Sequence, residues 1–165
     1  MTTYHLAQLN IAVMKEPLES PTMADFVANL DRINALAEAA PGFVWRFQTA
    51  AGDATAMRPL GGDTLINLSV WQDLASLNAY VYQSAHVEIM RRRREWFERL
   101  REAHVVLWWV AAGHQPGVDE AIGKLNRLRQ HGPSQEAFAF RQAYAAPDSQ
   151  RAPRSLSLGN ECPAA

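Results

Sequence analysis

The residues best suited to chemistry are His86 and Arg93, which interrupt an otherwise apolar helical stripe. At about 100° per residue, the residues within roughly 40° of His86 on a helix are Met90, Arg93, Phe97 and Leu100. Burying a histidine and an arginine among apolar groups costs free energy unless partners are present. A histidine there can act as an acid, a base or a hydrogen-bond partner of an oxyanion. We therefore predict His86 as a catalytic residue and Arg93 as a substrate contact.

Both residues also have a purely structural explanation. His86 would then hydrogen-bond the backbone of a strand. Arg93 would extend its charged end into solvent, or pair with an acid such as Glu88 or Asp73. The sequence leaves both explanations open.

A second group of candidate ligand contacts lies on predicted strands. Residues 4–13 and 64–71 alternate, with Ala7, Leu9 and Ile11 on a fully apolar face of the first. The opposite, mixed faces carry most of the predicted substrate-binding residues, and a third strand adds one: Tyr4, Gln8, Asn10, Asn67, Ser69, Trp71 and Trp45. Amides in such a place can hold a carbonyl or enolate oxygen, and the aromatic rings can stack on a flat ligand. For Trp71, packing at the strand end is the alternative.

The elements that position these residues follow from hydrophobic periodicity. Strands are predicted over residues 4–13, 43–48, 64–71 and 104–110, with Phe43, Trp45 and Phe47 on one side of the second. Helices are predicted from the Ser20 or Thr22 cap to residue 40, from the Asp73 cap to a break at 83–84, over 85–101 and over 118–130. Residues 50–63 form a loop long enough to cover something. Phe138 and Phe140 are predicted as a short edge strand or as packing anchors.

This order of elements, βαββαβ, is typical of a ferredoxin-like α+β fold with helices on one face of an antiparallel sheet. The apolar faces of residues 4–13 and 64–71 suit the helices. The mixed face, with Leu65 and Trp71, then needs cover from the C-terminal segment and its extra helix, or from a second subunit. We predict a single domain over residues 1–144 and a disordered tail over 145–165, which lacks periodicity.

Several motifs carry a resemblance to a known family. They are Pro41-Gly42-Phe43, Ser69-Val70-Trp71, Ser84-Ala85-His86, residues 92–97 (Arg-Arg-Arg-Glu-Trp-Phe), residues 106–110 (Val-Leu-Trp-Trp-Val) and Gly113-His114. Across roughly residues 4–141 the chain resembles an uncharacterised family, domain of unknown function 3291, within the dimeric α+β barrel superfamily. That superfamily includes antibiotic-biosynthesis-type monooxygenases, haem-degrading enzymes and relatives of chlorite dismutase. The resemblance implies a homodimer with a pocket between sheet and helices in each protomer, but no particular reaction.

The resemblance supports three candidate functions. The first is a cofactor-independent, monooxygenase-like enzyme acting on a hydrophobic, aromatic or polyketide-like compound, with His86 as acid or base, Asn67 and Gln8 orienting the substrate and Trp71 stacking on it. The second is a ligand-binding or sensor protein without chemistry. The third is haem binding through His86, because a histidine near the start of this helix ligates iron in haem-binding relatives. No cofactor is expected for the first two.

Composition argues against several other classes. Sixteen Lys and Arg balance 17 Asp and Glu, so no net field attracts nucleic acid or an anionic membrane, although residues 91–94 are all arginine. Cys162 is the single cysteine, and the histidines lack metal-binding spacing. No P-loop, dinucleotide fingerprint or nucleophile elbow occurs. The N-terminal residues do not read as a secretory signal and no apolar run spans a bilayer, so we expect a cytoplasmic location.

Overall fold

A computed structural model of the chain describes residues 3–147. The strands are β1 (Tyr4–Val13), β2 (Phe43–Arg46), β3 (Thr64–Trp71) and β4 (Val105–Ala111). The helices are α1 (Ala24–Glu38), α2 (Leu74–Gln83), α3 (His86–Trp96) and α4 (Val118–His131), and a short 3-10 turn (Pro21–Met23) precedes α1. The bounds of β1 and β3 coincide with those predicted from strict alternation. No helix of this described range is long and apolar enough to cross a membrane.

The four strands form one antiparallel sheet in the order β2-β3-β1-β4. In the register of β1 with β3, Gln8 lies opposite Ser69 and Asn10 opposite Asn67. Directly opposed residues of antiparallel strands share a face, so these four polar side chains lie together on one side of the sheet. The register therefore assembles a polar row from two strands that are distant in sequence.

The helices cover the two faces of the sheet the other way round from the prediction. The fully apolar face, with Leu9 of β1 and Leu68 of β3, packs against α4 through Leu125 and Leu128. Helices α1, α2 and α3 lie over the mixed face instead. The apolar stripe of α4 can fill a dry face completely, whereas the mixed face needs partners for its polar groups. The C-terminal part of the chain thus covers both faces, because α4 packs on the apolar face while Phe138 and Phe140 pack on the mixed face with Trp71.

Strand β2 contains a bulge that the alternation did not reveal. Phe43 pairs with Trp71 and Trp45 with Val70, so Val44 is an extra residue and the register shifts. Phe43 consequently joins the mixed face, where its ring lies 5.4 Å from that of Trp71, whereas Trp45 packs on the apolar side. The prediction that Phe43, Trp45 and Phe47 share one side was wrong. The bulge also aligns Arg46 with Ser69, on the mixed face.

Helix α3 is shorter than predicted. It ends at Trp96, and Phe97 is extended with φ −123° and ψ 147°. The Trp96 carbonyl accepts a hydrogen bond from the Lys15 amide (2.9 Å), and the Glu98 amide donates to the Val13 carbonyl (2.8 Å). This pairing with the end of β1 competes successfully with helix propensity, so the predicted helix to residue 101 was wrong. The predicted break after Gln83 is confirmed by the end of α2.

Phe138 forms an isolated β-bridge to β4 and is also buried, so it has features of both predicted alternatives, the edge strand and the packing anchor. Its amide and carbonyl exchange hydrogen bonds of 2.9 and 2.8 Å with Leu107, and its side chain is buried, as is that of Phe140. The structure describes the first three residues of the predicted tail, 145–147. Of these, Ala145 is tied to the domain, because its carbonyl accepts a hydrogen bond from the Gln135 side chain (2.7 Å). Residues 148–165, with Cys162, lie outside the described residues.

Candidate functional site

A cavity separates helix α1 from the mixed face of the sheet. No residue of α1 is fully buried, and Asn67, in the middle of an inner strand, is exposed. Both observations have one cause, which is that α1 stands away from β3 and leaves a gap that solvent reaches.

The cavity consists of two adjoining chambers. The apolar chamber has a volume of about 90 Å³ and is bounded mainly by hydrophobic side chains such as Phe26, Leu30, Leu65 and Ile89. The polar chamber, of about 50 Å³, is bounded by Gln8, Ser69, Trp71 and Tyr80 among others. The residues that line both are Asn10, Ile33, Asn34, Arg46, Asn67 and His86. An apolar pocket with a few convergent polar groups is typical of a small-molecule site.

The polar row on the floor of the cavity is held by hydrogen bonds between its own side chains. The Gln8 Nε2 atom donates to Asn67 Oδ1 and to Ser69 Oγ, both at 3.4 Å, and its Oε1 accepts from Asn10 Nδ2 at 3.3 Å. Ser69 Oγ also accepts from the indole of Trp71 at 3.0 Å. The network fixes the amide orientations, and it leaves the Asn67 amide nitrogen without a partner among residues 3–147.

His86 is the first residue of α3, and its imidazole borders both chambers. Only 4% of the residue is exposed, and Nδ1 is buried without a hydrogen-bond partner in the described part of the chain. Burial lowers the pKa of His86 to about 4, and the Val81 carbonyl opposes this shift. The imidazole is therefore neutral at pH 7. Its backbone amide donates to Ser84 Oγ (3.1 Å), which ties the start of α3 to the preceding break.

Tyr80 forms an aromatic wall beside His86. Its ring stacks on Trp71 at 5.0 Å and lies 4.9 Å from the imidazole. Its hydroxyl donates to the Ile33 carbonyl at 3.3 Å, and burial raises the pKa of Tyr80 far above its usual value, an effect that Arg46 opposes. Tyr80 thus stays protonated and holds α2 against α1.

Arg46 connects three parts of the site, although it was not among the predicted site residues. Its Nε atom donates to Glu38 of α1 at 2.7 Å, and its Nη2 atom donates to the Gly52 carbonyl of the following loop at 2.8 Å. Only 13% of the side chain is exposed. Its cavity-facing direction depends on the bulge at Val44, and the only local signal was an arginine in a β-prone stretch.

The loop between β2 and β3 closes the apolar chamber, consistent with its predicted covering role. Asp53, Ala54 and Thr55 line that chamber. Asp53 Oδ1 accepts from the amide of Thr55 (2.8 Å) and from its hydroxyl (2.7 Å), while Arg58 donates to the carbonyls of Thr55 and Gly62. These bonds give the loop a fixed shape over the cavity.

The structure brings together most of the predicted site residues but not all. His86, Gln8, Asn10, Asn67, Ser69 and Trp71 line the polar chamber. Trp45 lies on the opposite face of the sheet, and Tyr4 lies at the far end of β1, paired with Ala111. Arg93 lines a separate groove with Met90 and Leu100, so the predicted grouping of Arg93 with His86 was wrong. The ring of Trp71 is already stacked on Tyr80. Besides Arg46, prediction missed Asn34 and Tyr80.

The two chambers beside His86 are small in relation to haem. The imidazole of His86 faces chambers of about 90 and 50 Å³, both much smaller than a porphyrin, and Tyr80 packs against the ring. Among residues 3–147, no group of three or more His, Cys, Asp or Glu side chains is arranged to hold a metal ion.

Comparisons with known proteins give the family and a set of distant structural neighbours. No curated protein matches the chain. The NE2512 protein of unknown function from Nitrosomonas europaea is 18% identical with a TM-score of 0.45, covering 71% of this chain and 99% of its own. SnoaB, a cofactor-independent oxygenase from Streptomyces nogalater, is 14% identical with a TM-score of 0.43, covering 70% and 98%.

Rv0793 from Mycobacterium tuberculosis is likewise 14% identical with a TM-score of 0.43, covering 68% of this chain and 99% of its own. At sequence identities this low, the similarity to these solved structures concerns the α+β fold alone. The profile of a family described only as a domain of unknown function, DUF3291, matches residues 5–154. The chain therefore belongs to the DUF3291 family.

Proposed function

We propose that the protein binds a small, largely apolar molecule in the two chambers and acts on it as a cofactor-independent, monooxygenase-like enzyme. The observation that carries the proposal is His86, a buried neutral imidazole whose Nδ1 atom has no partner within residues 3–147 and whose ring borders both chambers. The apolar chamber would hold an aromatic or polyketide-like body, and the polar row would hold its oxygen. SnoaB, of similar fold, is described as a cofactor-independent oxygenase.

The proposed reaction oxidises an activated methylene group of the substrate. His86 Nδ1 would accept one methylene proton as the carbanion forms. The amide nitrogen of Asn67, held in orientation by Gln8, would donate to the substrate's carbonyl oxygen, which carries the resulting enolate charge. Dissolved O₂ is the oxidant: the methylene carbon gains one oxygen atom as a carbonyl, and the second oxygen leaves as water with the two methylene hydrogens. Asn10, Ser69 and Trp71 would complete the polar chamber.

The depressed pKa of His86 sets a condition on this role. An imidazole with a pKa of about 4 is a weak base at pH 7, so proton transfer to it requires a bound ligand that stabilises the imidazolium. A developing enolate beside the ring supplies such a charge. Without it, His86 acts as a neutral hydrogen-bond partner, as in the alternative function, a ligand-binding or sensor protein. The hydrogen bonds that Gln8 and Ser69 make within the polar row favour that alternative, because polar groups held in fixed positions can bind a ligand without taking part in a reaction.

We extend the proposal to the assembly and its location. We propose that the chain forms a ferredoxin-like dimeric α+β barrel with an extra C-terminal helix. It would act as a homodimer in the cytoplasm. The short edge strand β2, with Val44 exposed on it, offers one surface for a second copy. Sedimentation at micromolar concentration tests the homodimer, and a monomer would refute it.

The experiment for the function measures O₂ uptake with a panel of quinol-type and activated-methylene aromatic compounds. Turnover should be lost in His86→Gln and reduced in Asn67→Ala, and isotope-labelled O₂ should place one labelled oxygen in the product. His131→Gln, at an exposed position on α4, is the matched control and should behave as wild type. Saturable binding without O₂ uptake in any variant would support the binding protein, and turnover that survives His86→Gln would refute the assigned role.

A further inference from the structure

The polar chamber contains a cation and no anion. Among its described lining residues, Arg46 has the only formal charge at pH 7, because the remaining polar groups are amides, hydroxyls and the neutral His86. Glu38, the ion-pair partner of Arg46, is not among the lining residues, and 48% of its side chain is exposed. The positive charge therefore faces the cavity while its counter-charge faces solvent.

The guanidinium of Arg46 also keeps unused donors. Arginine carries five N–H donors, and within residues 3–147 Arg46 donates its Nε hydrogen to Glu38 and one Nη2 hydrogen to the Gly52 carbonyl. Those two bonds fix the plane of the guanidinium, so the remaining donors are held in position before a ligand arrives. A preorganised guanidinium matches a carboxylate better than a single-point acceptor.

From these observations we infer that the polar chamber is a carboxylate site, with Arg46 as its anchor, and that the ligand is an apolar monocarboxylate whose body lies in the apolar chamber. This inference rests on the proposed small-molecule site and names its ligand class. A chamber of about 50 Å³ suits a group as small as a carboxylate. The amide nitrogen of Asn67, which borders both chambers, is placed to donate to the same group.

The two chambers also determine the orientation of the ligand. Asp53 lines the apolar chamber but not the polar one, so a carboxylate at the loop end would meet a like charge. A carboxylate beside Arg46 and His86 avoids that repulsion. The ligand thus lies with its apolar body among the hydrophobic side chains of the apolar chamber, and with its charged end in the polar chamber beside Arg46.

The test compares 4-ethylbenzoate with 4-ethylbenzamide, a neutral probe of nearly the same shape, by isothermal titration calorimetry on the full chain. The wild type should bind the carboxylate at least about tenfold more tightly. Arg46→Gln should abolish that preference, whereas Arg46→Lys should retain part of it. Glu38→Gln is the matched control, because it breaks the same ion pair but leaves the cation, and the preference should persist or increase.

Each result separates this inference from the proposed function. Equal binding of both probes, weakened in Asn67→Ala, would support the small-molecule site and overturn the carboxylate assignment. Carboxylate preference that survives Arg46→Gln, in protein whose thermal melting shows it to be folded, would also overturn it. If Arg46→Gln does not fold, a preference that is reduced but not abolished in a folded Arg46→Lys would support the inference, and an unchanged preference in that variant would overturn it. Binding of neither probe at millimolar concentration would overturn the inference.

Discussion

The buried neutral state of His86 predicts a specific loss of stability in mild acid. An unfolded histidine has a pKa near 6.5, whereas burial lowers the pKa of His86 to about 4 in the folded protein. Between these two values the unfolded chain binds a proton at this residue and the folded chain does not. Stability from this group is therefore fully present above about pH 6.5 and decreases as the pH falls toward 4.

The size of the effect follows from the two pKa values. At pH 5 the unfolded histidine is almost fully protonated and the folded one is about one-tenth protonated, which gives a loss of about 2 kcal/mol relative to pH 7.5. The limiting loss below pH 4 is about 3 kcal/mol, from a shift of about 2.5 units at 1.36 kcal/mol each. Either value is a large part of a typical domain's stability.

The assay is urea unfolding of wild type and His86→Gln at pH 7.5 and pH 5. Titrating carboxylates contribute to both proteins, so the informative quantity is the difference between their two pH-induced changes. His86→Gln should lose about 2 kcal/mol less than the wild type between the two pH values, whatever its own starting stability. His131→Gln, at an exposed position, should lose as much as the wild type.

Two outcomes would refute the reasoning. Equal pH-induced losses in wild type and His86→Gln would mean that His86 has an ordinary pKa in the folded chain. A smaller loss in His131→Gln than in wild type would assign the effect to surface charge instead of the buried imidazole. Direct NMR titration of the His86 ring should agree with the unfolding data and give a midpoint near 4.

Two further predictions test the packing that positions the site. Gly42→Ala should lower the free energy of unfolding by about 3 kcal/mol in urea, because Gly42 has φ +82° and an added Cβ would lie 2.4 Å from Ser76 Cβ. The control is Gly113→Ala, which has φ +89° and nothing within 4 Å of the added Cβ, and it should cost only about 1 kcal/mol. Equal costs in the two variants would refute the clash with Ser76. Leu125→Ala should lower the free energy of unfolding by about 2–5 kcal/mol, because it leaves a cavity under α4. Leu60, which is 38% exposed, is the control, and Leu60→Ala should change stability by no more than about 0.5 kcal/mol. A mild effect at Leu125 would contradict the packing of α4 on the apolar face.

Strand positions were predictable from the sequence because strict alternation is a local signal. Residues 4–13 and 64–71 alternate without interruption, and their pairing then determines that Gln8 meets Ser69 and Asn10 meets Asn67. Which helices cover which face was not predictable in the same way. An alternating strand distinguishes its two faces but does not identify the partner of either, so the preference of α4 for the apolar face depends on tertiary packing.

The missed parts of the site depend on non-local geometry. Arg46 reaches the cavity only because Val44 is an extra residue in β2, and a bulge is defined by the partner strand. Arg93 is separated from His86 because the two residues lie about two turns apart on α3. His86, at the start of the helix, borders the cavity, whereas Arg93 lines another groove. Tyr80 joined the site through the fold of α2 onto α1, a contact between segments far apart in sequence.

The unequal satisfaction of polar groups is the strongest argument that the cavity has a function. Gln8, Ser69 and the Trp71 indole meet each other's hydrogen-bonding needs, as expected of a polar row with a structural role. His86 Nδ1 and the remaining Arg46 donors have no such partners within residues 3–147, although they border the same small space. A buried group without a partner costs about 1–3 kcal/mol, so a purely structural role for His86 would be expected to pair its Nδ1 atom or to place an apolar residue there. Water or a ligand in the chamber can supply the missing partners, and a ligand that binds there meets both a neutral imidazole and a guanidinium.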